Sequence, residues 1–159
     1  MKYIFIITIF LTNFLFAQEL KVIADSFEAD QSKGLSIFEG HVNIIKKNDE
    51  LNASKITIYT DEKNQPTMFI ALGNVSFTIQ TQEGAIYRGT AGKVVYLPKE
   101  SEYHFYKNVY LQQVDEKKEI QGDEVILNTV NGKAHAKGLK TEPVIMIFNI
   151  ADDTKEENK

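Results

Sequence analysis

Three histidines, His41, His104 and His135, are the side chains best suited to bind a metal or shuttle a proton near neutral pH. Each precedes an apolar residue of an alternating run: Val42, Phe105 and Ala136. Neighbours on a strand point to opposite faces, so the three rings turn away from the apolar face. The chain has no cysteine, and the histidines have no His or carboxylate pair at metal-ligand spacing. Asp25, Glu28 and Asp30 ahead of Gly34 come nearest to a calcium loop, but their positions do not match one. A solvated strand edge accounts for them. There is no nucleophile motif, phosphate loop or paired-carboxylate signature. No metal, no cofactor and no enzymatic reaction are expected. Lys46–Lys47 and Lys117–Lys118 could meet phosphates at the mouth of a groove, or be solvated hairpin tips.

The elements that would position these groups are strands. In "FEGHVNI" (38–44) Phe38, Gly40, Val42 and Ile44 fall at a spacing of two and share one face of a strand. A glycine inside a strand marks a bend, a bulge or a close approach. The pattern returns as "ALGNVSF" (71–77) and "FYKNVYL" (105–111). Gly40 and Gly73 are 33 residues apart, and Lys107 stands 34 residues after Gly73, where a third glycine would fall. The bend of that third strand is therefore open. A second element alternates with the first: "VIADSFEA" (22–29), "LNASKITIYT" (51–60), "YRGTAGKVVYL" (87–97) and "IQGDEVILN" (120–128). About four two-strand units in tandem result, each burying its face against its neighbours. Turn clusters separate roughly nine strand segments, and Asn131–Gly132 reads as a type I′ hairpin turn. The expectation is an all-β meander whose long strands bend at their glycines and serve two sheets.

The ends set the domain limits. Lys2 followed by the apolar run 3–17, ending in Ala17, has the layout of a cleavable signal peptide. The run is short for a membrane span, which needs about 20 residues; its retention as an anchor is the alternative. Residues 18–150 form the domain, and 151–159 a polar, disordered tail. Loss of Lys2 leaves 17 basic against 22 acidic residues, a net charge of −5. An acidic chain is a poor partner for nucleic acid.

The alternation gathers Phe38, Val42, Ile44, Ile56, Ile58, Val75, Phe77, Phe105, Val109, Leu111, Val125 and Leu127 on an interior face. Phe69, Ala71, Ile79, Val94, Tyr96 and Tyr103 share the same parity. Such a face is either a packed core or the lining of a groove, in which acyl chains would gain about 0.8 kcal/mol per buried methylene. At the termini, Val22 and Phe27 at the start and Val144, Met146 and Phe148 at the finish mark strands with an edge to cover. Strand addition to another sheet would cover it; burial within the domain is the alternative.

Ala24–Asp25, Gly40–His41–Val42, Ala53–Ser54–Lys55, Gly73–Asn74–Val75, Ala91–Gly92–Lys93, Asn108–Val109 and Gly122–Asp123 together resemble the LptA/OstA family of periplasmic lipopolysaccharide-transport proteins. The resemblance spans about 22–140. It implies an open, twisted antiparallel β-jellyroll built of tandem repeats. It implies a periplasmic bridge that binds the lipid A portion of lipopolysaccharide in a hydrophobic groove and stacks end to end. Its partners would be inner-membrane LptC-like and outer-membrane LptD-like proteins, with energy supplied by a partner transporter. Two alternatives stay open: an anchored LptC-like component of the same pathway, and a structural self-associating roll with a solid core. A carbohydrate-active jelly roll would need a cleft of carboxylates or exposed aromatics, which these residues do not assemble.

Overall fold

The structure, a computed structural model, describes residues 19–150; the expected leader (1–17) and polar tail (151–159) lie outside the described residues. Among the described residues are ten strands: β1 Leu20–Ile23, β2 Ser26–Asp30, β3 Leu35–Lys46, β4 Asp49–Thr60, β5 Pro66–Gln80, β6 Ile86–Leu97, β7 Glu102–Gln113, β8 Lys118–Asn128, β9 Ala134–Lys137 and β10 Ile145–Ile147. One turn of 3-10 helix, Gln31–Lys33, joins β2 to β3, with the Asp30 carboxylate accepting from the Lys33 N–H at 3.3 Å. All pairings are antiparallel in a single open sheet, with β1 and β2 both on β3, and β9 and β10 both on β8. The six long strands β3–β8 follow one another as hairpins. This is the expected all-β roll of tandem repeats.

Each long strand is creased near its middle. Between Glu39 and Val42 the two residues Gly40 and His41 oppose the single Ser54 of β4. Gly73 and Asn74 likewise oppose Gly92, and Lys107 and Asn108 oppose Asp123. The extra residue is a β-bulge, which bends the strand and increases its twist. Both bulge residues take left-handed backbone: φ is +80° and +44° at Gly40 and His41, +83° and +47° at Gly73 and Asn74, and +66° and +50° at Lys107 and Asn108. Asn tolerates this region through local side-chain hydrogen bonding.

Sterics explain the glycines and the exception. A Cβ on Gly40 would stand 2.7 Å from the Cβ of Asp25, and one on Gly73 2.8 Å from the Cβ of Ser54. In the third crease the roles reverse: Gly92 makes the space, since a Cβ there would meet the Cβ of Lys107 at 2.9 Å. One member of each facing pair lacks a side chain. Lys107 therefore keeps the same bend as its counterparts. The recurrent Ala-Asp, Ala-Ser and Ala-Gly dipeptides are the other half of each crease.

The creases fold the sheet into two facing layers. The strand halves nearest the β4–β5 and β6–β7 turns form one layer, and those nearest the β3–β4 and β5–β6 turns form the other. The outermost strands break at the crease, so that β1 and β2, and again β9 and β10, lie in different layers. The Phe77 ring stacks on Phe105 across the interior, centroids 4.4 Å apart, although β6 separates their strands. Only a folded sheet brings them together. Val75, Phe105, Val125 and Leu127 are fully buried between the layers.

One expected turn differs. Between β8 and β9 only Gly132 has positive φ, whereas a type I′ turn needs it at Asn131 as well. The Asn128 carboxamide accepts from the Val130 and Asn131 N–H groups, and its backbone N–H donates to Lys133. That local side-chain capture makes a longer loop.

Candidate functional site

On the side away from the creases the layers part to leave a cavity of about 310 Å3. Its apolar walls include Ile44 and Leu51 from one layer and Ile56, Phe69 and Val94 from the other. Each wall follows from strand parity on either side of a crease. On β4 the inward set is Leu51 and Ala53 before the crease, but Ile56 and Ile58 after it. The odd spacing across Ser54–Lys55 is the step the bulges impose. Small side chains, Ala53, Ala71 and Ala91, occupy the fold line and let the layers approach.

Aromatic side chains form the cavity's back wall. Phe69, Tyr96 and Tyr103 lie directly opposite one another on β5, β6 and β7. Their centroids are 5.8 Å apart for the first pair and 4.3 Å for the second, and Tyr103 continues to Phe105 at 6.0 Å. Such contacts add about 0.5–1.5 kcal/mol each beyond area burial.

Two polar contacts span the mouth from the β3–β4 hairpin. The Tyr103 hydroxyl donates to Oδ2 of Asp49 at 3.4 Å, and Lys46 Nζ stands 5.4 Å from the Tyr96 ring centroid. Oδ1 of Asp49 accepts the Gln80 N–H at 2.8 Å, tying the hairpin to β5. Burial pushes the Asp49 carboxyl above the usual carboxylate range, against the pull of the Gln80 N–H and of Lys46 and Lys47. Burial, together with the Asp49 charge, pushes the Tyr103 phenol well above its usual range. Tyr103 is therefore the donor. Further along, the Gln82 N–H donates to the Thr129 carbonyl at 2.9 Å and ties the two layers together there.

Of the residues expected on the interior face, Ile44 and Ile56 line the cavity, as do Phe69, Ala71, Ile79, Val94, Tyr96 and Tyr103. Val42, Ile58, Val75, Phe77, Phe105, Val109, Leu111, Val125 and Leu127 are buried between the layers, and Phe38 packs half-buried against them. Leu20, Leu51, Pro66 and Pro98 line the cavity without having been singled out from sequence. Leu51 is the second inward residue before the crease, and the prolines sit at strand ends that only the fold brings to the mouth.

The expected partner edges are exposed to different degrees. Val22 is half-buried against the core, while Phe27 is 62% exposed and leans on Phe38 at 4.8 Å. Val144, Met146 and Phe148 are exposed, but the ladder there covers only Ile145–Ile147. Gly138 and Pro143 precede it, in the stretch where the chain crosses between layers.

Two histidines have carboxylate neighbours, one from a distant stretch of the chain and one from the same strand. His41 Nδ1 lies 2.7 Å from Oδ2 of Asp25, across the first crease, and His104 Nε2 lies 3.1 Å from Oε2 of Glu102. The pairing of β3 with the crossover after β1 creates the first. A side chain two residues back along the same strand face supplies the second. Among the described residues no three His, Asp or Glu side chains converge as a metal site. Lys46 reaches the mouth, whereas Lys118 pairs with Glu116 at the β7–β8 turn.

Creased antiparallel sheet, two open edges and an apolar space between layers define an open β-jellyroll. The chain belongs to the LptA/(LptD N-terminal domain) LPS transport protein family, whose model matches residues 21–133. This is a family of transport proteins, not of enzymes. A solved structure similar to this chain is LptH from Pseudomonas aeruginosa, "the LptA homologous periplasmic component of the conserved lipopolysaccharide transport device". The two share 16% identity and a TM-score of 0.73, over 84% of this chain and 96% of LptH. At that identity the likeness speaks for the fold. No curated protein matches the chain by sequence.

Proposed function

We propose that this protein is a periplasmic lipopolysaccharide carrier that holds acyl chains of lipid A between its two layers. It passes them from an inner-membrane component to an outer-membrane one as part of a bridge. The observation that carries this reading is the apolar interlayer cavity, walled by Ile44, Leu51, Ile56, Phe69 and Val94. Its volume of about 310 Å3 is at the small end of ligand pockets, which run from about 300 to 1,000 Å3. A multiply acylated lipid therefore needs the layers to spread. An open sheet allows that, because no strand pairing among the described residues closes the mouth.

The bridge would form through the sheet's two ends. The β1–β2 and β9–β10 edges each present an unpaired row of backbone groups and exposed apolar side chains such as Phe27 and Met146. Strand addition satisfies both needs. It supports end-to-end copies of this chain, and LptC-like and LptD-like partners at the two termini.

A photoreactive residue placed at Phe69 in cells tests the groove, with Ile70 on the opposite face as control. A lipopolysaccharide adduct at 69 and none at 70 is the expected result. Absence of an adduct at 69 in folded, exported protein would overturn the groove. It would favour a self-associating roll with a solid interior, a reading supported by the complete burial of Val75, Phe105, Val125 and Leu127.

A further inference from the structure

The Asp49–Tyr103 and Lys46–Tyr96 contacts have no counterpart in simple core packing. Both join the β3–β4 hairpin of one layer to the aromatic back wall of the other, across the mouth of the cavity. All four residues line that cavity. A hydroxyl, a carboxylate and an ammonium are set where a purely apolar rim would bury more surface. Among the described residues no covalent or backbone bond closes the sheet at this point. Next to it, by contrast, the Gln82–Thr129 backbone hydrogen bond joins the layers.

We infer that Asp49 with Tyr103 and Lys46 with Tyr96 form a clasp that holds the empty mouth shut, and that an anionic amphiphile enters by opening it. The inference rests on the carrier reading above. An entering acyl chain takes the Tyr96 and Tyr103 ring faces in place of the Lys46 ammonium and the Asp49 carboxylate. The hairpin then swings away, with Asp49 still holding the Gln80 N–H. Lys46, released from the ring, is left at the rim, where an anionic headgroup remains. The clasp stays open while the chain is bound. Removing its Asp49–Tyr103 half therefore speeds entry without speeding exit.

The test is stopped-flow binding of a pyrene-labelled dodecanoate to the mature protein, with Tyr103→Phe and Lys46→Gln as variants. Y103F keeps the stacked ring and deletes only the hydroxyl. The association rate constant is expected to rise about five-fold in Y103F, as for the loss of one hydrogen bond of ordinary net strength, in keeping with its length of 3.4 Å. K46Q, a change at the cavity rim that leaves the packed core untouched, is expected to raise it about two-fold. Dissociation stays unchanged in Y103F, as does amide exchange at Gln80, which Asp49 continues to hold; in K46Q dissociation quickens as well, because the ammonium beside the bound headgroup is gone. Equal association rates in all three proteins would overturn the clasp while leaving the carrier reading intact. So would faster dissociation of Y103F with an unchanged association rate, which marks the Tyr103 hydroxyl as a ligand contact. Failure of the wild type and both variants to bind the probe would overturn the groove itself, and the clasp with it.

Discussion

The third crease makes a quantitative demand on two facing residues. A methyl on Gly92 would stand 2.9 Å from the Cβ of Lys107. Carbon atoms pack best at about 3.5–4.0 Å. Overpacking of this kind costs about 1–3 kcal/mol. Gly92 has ordinary negative φ, so alanine also gains about 0.4–1 kcal/mol by restricting the unfolded chain. Gly92→Ala alone should then destabilise by about 1–2 kcal/mol. Lys107→Gly removes the strain of φ +66°, which is about 1–2 kcal/mol for an L residue in left-handed backbone. Against this stands a glycine entropy cost of about 0.5–1 kcal/mol. Lys107→Gly alone should stabilise by about 0.5 kcal/mol. In the double variant the clash is gone, and Gly92→Ala becomes neutral or slightly favourable. The coupling expected from urea unfolding of the four proteins, followed by circular dichroism, is about 2 kcal/mol. Independent sites add within about 0.3–0.5 kcal/mol. If Gly92→Ala costs the same in the wild-type background as in the Lys107→Gly background, the facing-pair account of the crease is wrong.

Other consequences are accessible to the same measurements. Phe105→Ala, which empties a fully buried site stacked on Phe77, should cost about 3–5 kcal/mol, whereas Phe69→Ala on the cavity wall should cost about 1.5 kcal/mol. Equal losses in urea would mean that the two places are equally filled. Because burial raises the Asp49 pKa in the folded state, that state holds the proton more tightly than the unfolded chain. The Asp49 contribution to stability is therefore best below the ordinary carboxylate pKa and falls as pH rises through the elevated one. Asp49→Asn keeps an acceptor for Gln80 and should abolish this decline; a wild-type minus variant stability difference that is flat with pH from acid to neutral would contradict the assignment.

Much of this fold is readable along the chain, because a creased sheet writes its geometry locally. The period-two apolar runs around Val42, Val75 and Val109 name the inward face, and left-handed bulge residues select Gly, Asn and their neighbours at a regular interval. Lys107 is the ambiguous position. Its partner Gly92 lies fifteen residues earlier in sequence, and only the β6–β7 pairing shows that the missing side chain has moved to the facing strand. The Asn131–Gly132 turn departs from expectation for a similar reason, since Asn128 competes for the same backbone donors.

Pattern and period by themselves determined an all-β meander of tandem hairpins and its interior face, while the transport family came through resemblance to that family's motifs. A side chain's direction depends on its own strand, so those features survive without knowledge of distant contacts. Tertiary structure alone decided which interior residues are packed and which line a space. Phe105 and Phe69 have the same parity and the same side chain. One meets Phe77 across the fold and is fully buried, while the other faces the opening between the layers. The meeting of Asp49 with Tyr103, and of Asp25 with His41, likewise exists only once the creases bring the layers together. The separation of the layers at each point depends on side chains contributed by both, and no local stretch of chain encodes that distance.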